Sequence, residues 1–481
     1  MKILRALFSP KPTASVPAPA RASVPSSVER YYAGDLQLVC GTQSVELLRQ
    51  HADHPSGYVR EAVLRRCVEL PSPELLPTVA ERLNDWVPQV QRAARTALMT
   101  LLPFVPASQL LAAMPVILRL HSPGRADYAA WLDAFEQSLI QTIAISDICT
   151  AAHGPAIKVA RAAVYLLDKY GLLETSALIT LILERSDDIV LAVRAVNLCA
   201  CLAPELQEQF YRLAARSHFG AVRTMASRCL LAMAGHPHDE FAITALLDAQ
   251  SSVRSVAMSY LHERQFDARA HYRHRLLHEH QTVRRTRVCL AALASLRNPA
   301  DVELVRSFQS SLYPGVRTAA RAAWFKLAEA DKDEIALAAL HDPAAGAGKF
   351  ALQLVRKHQA YIPFATIRAS LEAGGNATRL LPLVAHKRWN WLECVALLGM
   401  QRGVEEAHLL GLGEAVGMWL NSAAWYERPG KEQALFLLSA PVVAFFEHLL
   451  LRHPQRLASL LRQLEQGAAG DLKPSIYPAA S

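Results

Sequence analysis

The sequence predicts an all-α protein, a right-handed solenoid of about ten short helix pairs that ends in a helical C-terminal cap. The 481 residues are 52% apolar and only 7% aromatic, and alanine and leucine, which favour helices, are abundant. A segment of similar pattern returns about every 31 residues. No stretch shows sustained alternation of apolar and polar positions with β-branched residues, so strands are not expected.

Each repeated unit contains a first helix, a short turn and a second helix, as the segment DAQSSVRSVAMSYL at residues 248–261 illustrates. The apolar residue before its arginine has counterparts near the start of each second helix. These positions are Val59, Val90, Ile157, Val193, Val222, Val253, Val283, Val316 and Ala347. A degenerate unit near residues 121–132 fills the longer gap before Ile157. Because one helix cannot bury its apolar face alone, stacked pairs are expected to form a continuous core.

Composition divides the chain into four parts. Residues 1–34 are rich in proline and small residues and are expected to form a flexible tail. The repeats occupy residues 35–360. Residues 361–467 keep a helical pattern, but two adjacent glycines interrupt the repeat and tryptophans gather, so we expect a helical C-terminal cap. Residues 468–481 are expected to form a second tail.

The turn and second helix follow the pattern Asp-x4-Val-Arg-x2-Ala, which Asp248, Val253, Arg254 and Ala257 fit. This pattern resembles HEAT-like repeats, in particular the short bacterial repeats of the phycobilisome-lyase type, over about residues 36–360. The resemblance implies the solenoid fold and says little about function, because such solenoids serve unrelated tasks. It also implies that recurring aspartates and arginines bridge neighbouring turns. These structural candidates are Asp188, Asp248, Arg60, Arg194, Arg223, Arg254, Arg284 and Arg317.

The densest positive charge lies at residues 262–299, in a chain whose formal net charge is +8. Arginine suits carboxylates and phosphates through its planar guanidinium group, so this segment is a candidate for binding a partner. The predicted partner-binding arginines are Arg264, Arg273, Arg275, Arg284, Arg285 and Arg287. An acidic protein surface is favoured over nucleic acid, because few aromatic residues accompany these arginines. A solvated surface without a partner is the competing interpretation.

A second candidate surface lies at residues 417–433, where the helical periodicity breaks before a Pro-Gly turn. Tryptophan, tyrosine and arginine are the residue types that most often anchor protein interfaces. The candidates here are Trp419, Trp425, Tyr426 and Arg428. The competing interpretation is a helix end that packs onto the cap.

No catalytic, cofactor or metal site is predicted. His271, His274 and His278 share one helix face, but no carboxylate or thiol accompanies them in sequence. The single Glu-x-x-His motif at residues 405–408 lacks the second copy that a di-iron bundle requires. The glycines at residues 346–350 and 411–417 lack the spacing of phosphate-binding and dinucleotide-binding loops.

The favoured function is a non-enzymatic scaffold that binds another protein through a concave, partly basic face. A HEAT-type nucleic-acid-binding protein or DNA glycosylase is one alternative, and HEAT-like DNA glycosylases combine aromatic residues with an aspartate in a basic groove. Here Trp131 and Asp133 share a helix but lie on different faces, and Trp86 beside Asp85 falls at a turn, where packing or capping is expected. A chromophore lyase is a further alternative, suggested by the repeat resemblance alone.

The cysteines and termini bear on location. The eight cysteines include no Cys-x-x-Cys pair and mostly fall on apolar helix positions, which indicates a reducing compartment. The N-terminus does not resemble a signal peptide, because Arg5 interrupts a short apolar stretch. The apolar run at residues 434–446 is too short to cross a bilayer. We therefore expect a cytoplasmic protein without a membrane span.

Overall fold

The computed structural model describes residues 31–121, 127–185, 187–234, 237–279, 281–375, 377–385, 388–400, 406–421, 427–451 and 453–469. Within these ranges the chain forms 28 α-helices and no β-strand, which confirms the all-helical prediction. The chain divides into two compact units, Met1–His238 and Asp239–Ser481. Of the predicted tails, residues 1–30 and 470–481 lie outside the described residues.

The first unit is built from short helices. In chain order they are α1 (Ala33–Gly41), α2 (Val45–His51), α3 (Gly57–Glu69), α4 (Leu76–Arg82), α5 (Pro88–Leu101), α6 (Ala107–Ile117), α7 (Ala129–Thr142), α8 (Ile145–His153), α9 (Ile157–Lys169), α10 (Thr175–Glu184), α11 (Ile189–Cys199), α12 (Pro204–Ala214) and α13 (Gly220–Leu231). Short 3₁₀ segments occur at Pro73–Leu75, Leu102–Phe104 and Leu118–His121.

The second unit continues in the same style. Its helices are α14 (Asp239–Ala245), α15 (Ser251–His262), α16 (Ala268–His278), α17 (Val283–Leu296), α18 (Val302–Ser307), α19 (Pro314–Leu327), α20 (Lys332–Leu340), α21 (Ala345–His358), α22 (Phe364–Glu372), α23 (Ala377–Val384), α24 (Arg388–Gly399), α25 (Glu406–Asn421), α26 (Lys431–Leu437), α27 (Ala440–Leu449) and α28 (Pro454–Ala469). Here 3₁₀ segments occur at Pro299–Asp301, Phe308–Ser310 and Glu329–Asp331.

The helix starts follow local chemistry. The Asp188 side chain accepts hydrogen bonds from the backbone N–H groups of Val190 and Leu191 and so caps α11. Asp267 and Thr282 cap α16 and α17 in the same way. Proline at the first position, as in α5 and α19, has a fixed φ and lacks an N–H that would otherwise be unpaired. Among the aspartates expected to support helix starts, Asp188 is confirmed as a helix cap.

Six of the nine apolar residues aligned near the start of a second helix are buried. The buried positions include Val59, Val90, Val222, Val253, Val316 and Ala347. In α11 the register differs from the sequence alignment, because Leu191 rather than Val193 is buried. Ile157, which begins α9, is 39% exposed. Val283 in α17 is only partly buried as well. The repeat pattern therefore predicts the helices well, but it misplaces the buried residue in these three repeats.

Within each of the two compact units, the second helices of neighbouring repeats pack beside one another. In the first unit α3 packs against α5 and α11 against α13, and in the second unit α17 packs against α19. First helices pack against their own second helices, as α8 does on α9 and α16 on α17. This packing sets the turns between first and second helices beside one another along each unit.

The predicted cap, residues 361–467, lies within the second unit. One buried cluster runs without a break from Leu290 in α17 to Leu398 in α24, so it crosses the predicted boundary at residue 360. A second cluster gathers Trp389, Val416 and Phe446 from the last helices. The division into repeats and cap stays a prediction. In the described part of the chain, no helix has the length and apolarity needed to span a membrane.

Candidate functional site

The arginine that follows the repeated valine closes the turn before it. Arg60 is fully buried, and its Nη1 donates to the backbone oxygens of His54 and Pro55 at 2.7 and 3.0 Å. Its Nε and Nη2 donate to the two carboxylate oxygens of Asp85, each at 2.9 Å. Its guanidinium also lies 4.1 Å from the centre of the Trp86 ring. Arg60 therefore joins its own turn to the next one, as the HEAT resemblance implies.

In other repeats the arginine donates to the equivalent pair of carbonyl oxygens, which belong to the residues six and five positions before it. Arg223 donates to the backbone oxygens of residues 217 and 218, and Arg254 to those of residues 248 and 249, at 2.8–3.0 Å. Arg317 donates to Ser311 and Leu312 and also binds Asp342 with two hydrogen bonds, of 2.7 and 2.9 Å. The arginines in these units are structural.

Where the arginine is missing, another side chain takes its place. Gln91 donates to the backbone oxygen of Asp85 at 2.5 Å. In the last repeat, Gly348 occupies the position of the repeat arginine. Arg379 from α23 donates instead to the backbone oxygens of Asp342 and Pro343, at 2.8 and 3.3 Å. A Cβ on Gly348 would lie only 2.5 Å from Arg379 Nε. Gly348 therefore makes room for the guanidinium group of Arg379.

The aspartates of these turns are held in their ionised form. Hydrogen bonds from Arg317 outweigh burial and keep the pKa of Asp342 well below its ordinary value. Burial would raise the pKa of Asp85, but hydrogen bonds from Arg60 and the backbone N–H of Val87 lower it overall. Each pair is thus a charge-assisted link between neighbouring turns.

The arginines of α16 and its flanks are already paired. Arg269 binds Asp301 with two hydrogen bonds of 2.9 Å, and Arg273 donates to the same carboxylate. Arg275 lies 2.9 Å from Glu279. Outside the helix, Arg264 lies 3.2 Å from Asp239 and stacks on the Tyr260 ring. Three of the predicted partner-binding residues, Arg264, Arg273 and Arg275, therefore have intramolecular partners.

The arginines of α17 have a different environment. Arg284, Arg285 and Arg287 are exposed, and none of them forms an ion pair with any residue that the structure describes. They lie in the first turns of the helix, where unpaired N–H groups give a partial positive charge. Arg284 is at the position that closes the turn in other units, but here it does not. These three residues are the predicted partner-binding arginines of the basic segment that have no ion pair with a described residue.

The second predicted surface is mostly closed or outside the described residues. Trp419 is 9% exposed; its ring packs edge-on against Trp389, and its indole N–H donates to the backbone oxygen of Arg388 at 3.0 Å. Trp425 and Tyr426 lie outside the described residues, and Arg428 is exposed. The geometry therefore gives Trp419 a packing role.

The described residues hold no group of three or more side chains arranged to bind a metal ion. His274 lies 3.9 Å from Glu279 and its ring is 5.0 Å from that of His278. Burial lowers the pKa of His271, and the nearby Arg275 lowers it further. Glu405 of the Glu-x-x-His motif lies outside the described residues.

A buried carboxylate in the first unit is a feature that sequence reasoning missed. Glu136 is fully buried, and its oxygens lie 3.1 Å from His121 Nε2, 3.3 Å from Tyr165 OH, 2.7 Å from Lys169 Nζ and 2.8 Å from Tyr170 OH. These residues lie in the degenerate unit and the one after it. Separations of 15 to 34 residues leave no local pattern by which the group could be found.

The pKa values of two residues that contact Glu136 are shifted by burial and by their hydrogen bonds. Burial and the Glu136 charge raise the pKa of Tyr170 to about 12. Burial would lower the pKa of Lys169, but hydrogen bonds from it to Asp133 and Glu136 raise it above its ordinary value. The hydrogen bonds from Tyr165 and Lys169 to Glu136 join α9 to α7.

The aromatic and acidic residues considered for a glycosylase are engaged locally. Asp133 accepts a hydrogen bond of 2.6 Å from Lys169, and Trp131 stacks on Phe135 at 5.5 Å. Asp85 is enclosed by Arg60 and lies beside the exposed Trp86 ring that covers this arginine. These contacts give both aspartates structural partners.

The cysteines differ in exposure. Cys67, Cys199, Cys289 and Cys394 are buried, and burial raises the pKa of each thiol. Cys40 and Cys201 are exposed. The buried thiols act as small apolar side chains, as their helix positions predict.

Comparison with known proteins adds no relative. No protein-family model matches the chain, and no curated protein matches it at a significant level. The assignment of function therefore rests on the residues and their geometry.

Proposed function

We propose that the protein is a non-enzymatic scaffold that binds an acidic partner protein through Arg284, Arg285 and Arg287 of α17. The helix pairs would stack within each unit as a HEAT-like, right-handed solenoid and present their second helices to the partner. The proposed binding requires no cofactor or metal ion, because guanidinium groups bind carboxylates directly. The proposed location is the cytoplasm.

The observation that carries this proposal is the contrast between α17 and the rest of the basic segment. Each arginine at residues 264–275 has an acidic neighbour in the structure, whereas the α17 arginines have none in the described ranges. Cations in the first turn of a helix oppose its dipole and weaken the helix slightly. We identify no ion pair through which these arginines stabilise the fold. The carboxylates of a partner would neutralise their positive charge.

The stacking part of the proposal is supported by two features. Second helices pack side by side in both units. Arg60–Asp85 and Arg317–Asp342 pairs then join one turn to the next at the same sequence separation, 25 residues. A regular stack of helix pairs explains why the same separation recurs.

The test is capture of partners from native lysate by the tagged protein, with and without nuclease. Wild type is compared with the Arg284→Glu/Arg285→Glu/Arg287→Glu variant. A bound protein that survives nuclease and is lost with the variant is the expected result. Recovery of only nuclease-sensitive material would contradict the proposal and favour nucleic acid, which guanidinium groups also suit.

A charge-matched variant controls for non-specific attraction. Arg92, Arg119 and Arg216 are exposed arginines of the first unit, and replacing all three by glutamate changes the net charge equally. This control should capture the partner as well as wild type does. Equal loss with both variants would mean that net charge, rather than the α17 surface, governs binding.

A further inference from the structure

An exposed apolar turn lies at the start of α19, next to the α17 arginines. Leu312 is 90% exposed and Tyr313 is 58% exposed. Apolar side chains this exposed gain free energy when another surface covers them. Single exposed apolar residues are common on proteins, so the surroundings of the turn decide whether it has a role.

Hydrogen bonds fix the backbone of this turn. Arg317 donates to the backbone oxygens of Ser311 and Leu312, at 2.9 and 3.2 Å, and is itself fixed by two hydrogen bonds to Asp342. The Ser311 hydroxyl also accepts a hydrogen bond from the Tyr313 N–H at 3.3 Å. The backbone that carries Leu312 is thus ordered before any partner arrives, which reduces the entropy lost on binding.

The apolar turn is continuous with the arginine surface. A Cβ on Gly315 would lie 3.6 Å from Arg287 Cδ, so the stem of this arginine runs over the first turn of α19. Arg284 is three residues earlier on α17, on the same side of the helix. Leu312 and Tyr313 come directly before the helical turn over which Arg287 lies, and we call these two residues together with Arg284 and Arg287 the turn patch.

We infer that the turn patch recognises an acidic protein segment that carries an apolar side chain among its carboxylates. This inference rests on the proposed function and names the chemistry of the partner. The carboxylates would pair with Arg284 and Arg287, and the apolar side chain would cover Leu312 and Tyr313. Leucine, tyrosine and arginine side by side provide both the buried contact and the polar rim that interfaces need.

The apolar half of the turn patch distinguishes a protein partner from a nucleic-acid partner. A phosphate backbone would pair with the arginines but has no group that gains from contact with Leu312. Tyr313 could stack on a base, whereas an aliphatic side chain without a π-face could not stack in this way. Removing Leu312 is therefore expected to weaken an acidic apolar peptide and to leave an oligonucleotide unaffected.

The experiment is a fluorescence-anisotropy titration of full-length protein with two labelled peptides. Both alternate glutamate and aspartate, and the central residue is leucine in one and serine in the other. Wild type should bind the leucine peptide about tenfold more tightly than the serine peptide. The Leu312→Ser variant should lose this preference, and Leu451→Ser, which removes a leucine that is 78% exposed elsewhere in the same unit, should keep it.

The outcomes separate this inference from the proposed function. If wild type binds both peptides equally and the triple glutamate variant binds neither, the α17 surface is basic but the apolar inference is overturned. If the triple variant binds as tightly as wild type, or wild type binds neither peptide, both are overturned. Tighter binding of a labelled oligonucleotide than of either peptide, unchanged in Leu312→Ser, also overturns the inference and assigns the patch to nucleic acid.

Discussion

The turns before Arg60 and Arg284 occupy equivalent places in the repeat, yet their arginines have opposite environments. Arg60 is fully buried and donates to two turn carbonyls and to Asp85. Arg284 is exposed and has no acidic neighbour in the described residues. The residue 25 positions after Arg60 is an aspartate, whereas the one 25 positions after Arg284 is Gln309. A repeat arginine therefore has a structural role where it reaches a carboxylate of the next turn, as Arg60 does, or the carbonyl oxygens of its own turn, as Arg254 does; Arg284 does neither with the described residues.

The largest expected effect is acid unfolding, since low pH protonates several of the paired aspartates at once. The pKa values of Asp85, Asp188, Asp301 and Asp342 are lowered in the fold. A carboxylate with a lowered pKa stabilises the fold above its unfolded-state pKa and loses this contribution as the pH falls through its folded-state pKa. The free energy of unfolding, measured with urea, should therefore decrease below about pH 4.

A variant sharpens this comparison. Asp342→Asn has no carboxylate to titrate, so its deficit relative to wild type should be largest above about pH 4 and should narrow at lower pH. A deficit that stays constant down to pH 2 would mean that the ionised Asp342 does not stabilise the fold.

A smaller effect is expected where an arginine from elsewhere closes a turn. In Gly348→Ala the new methyl group would displace Arg379 from two backbone oxygens, so the free energy of unfolding should fall by about 1–3 kcal/mol. The double variant Gly348→Arg/Arg379→Ala should have a free energy of unfolding close to that of wild type, because it returns an arginine to its usual position in the repeat. Gly346→Ala is the control, because a Cβ there meets nothing within 4 Å.

The smallest effect on stability is expected for the α17 surface. Replacing Arg284, Arg285 and Arg287 by glutamate removes no ion pair of the described residues and places acidic groups in a first helical turn, which the dipole favours. The free energy of unfolding should stay within about 1 kcal/mol of wild type or rise slightly. A large loss, measured by urea denaturation, would show that these arginines support the fold and would weaken the binding proposal.

The repeat period and composition sufficed to predict an all-helical chain and a structural role for arginines such as Arg60. They could not assign Arg379 to the turn beside Gly348, because the two residues belong to different helices and Gly348 gives no sign of what fills its space. The pairing of Arg273 with Asp301 was missed for the same reason. Charge density along the sequence identified residues 262–299 as a candidate surface, but only packing separates its paired arginines from its unpaired ones.

The most direct test of the central claim is the cost of removing the same repeat arginine from two units. Arg60→Ala leaves the buried Asp85 with Arg82, at 3.4 Å, as its remaining cationic neighbour and should lower the free energy of unfolding by about 3–5 kcal/mol. Arg284→Ala should change it by less than about 0.5 kcal/mol. Equal losses in the two variants would contradict the claim that one arginine belongs to the fold and the other to a partner.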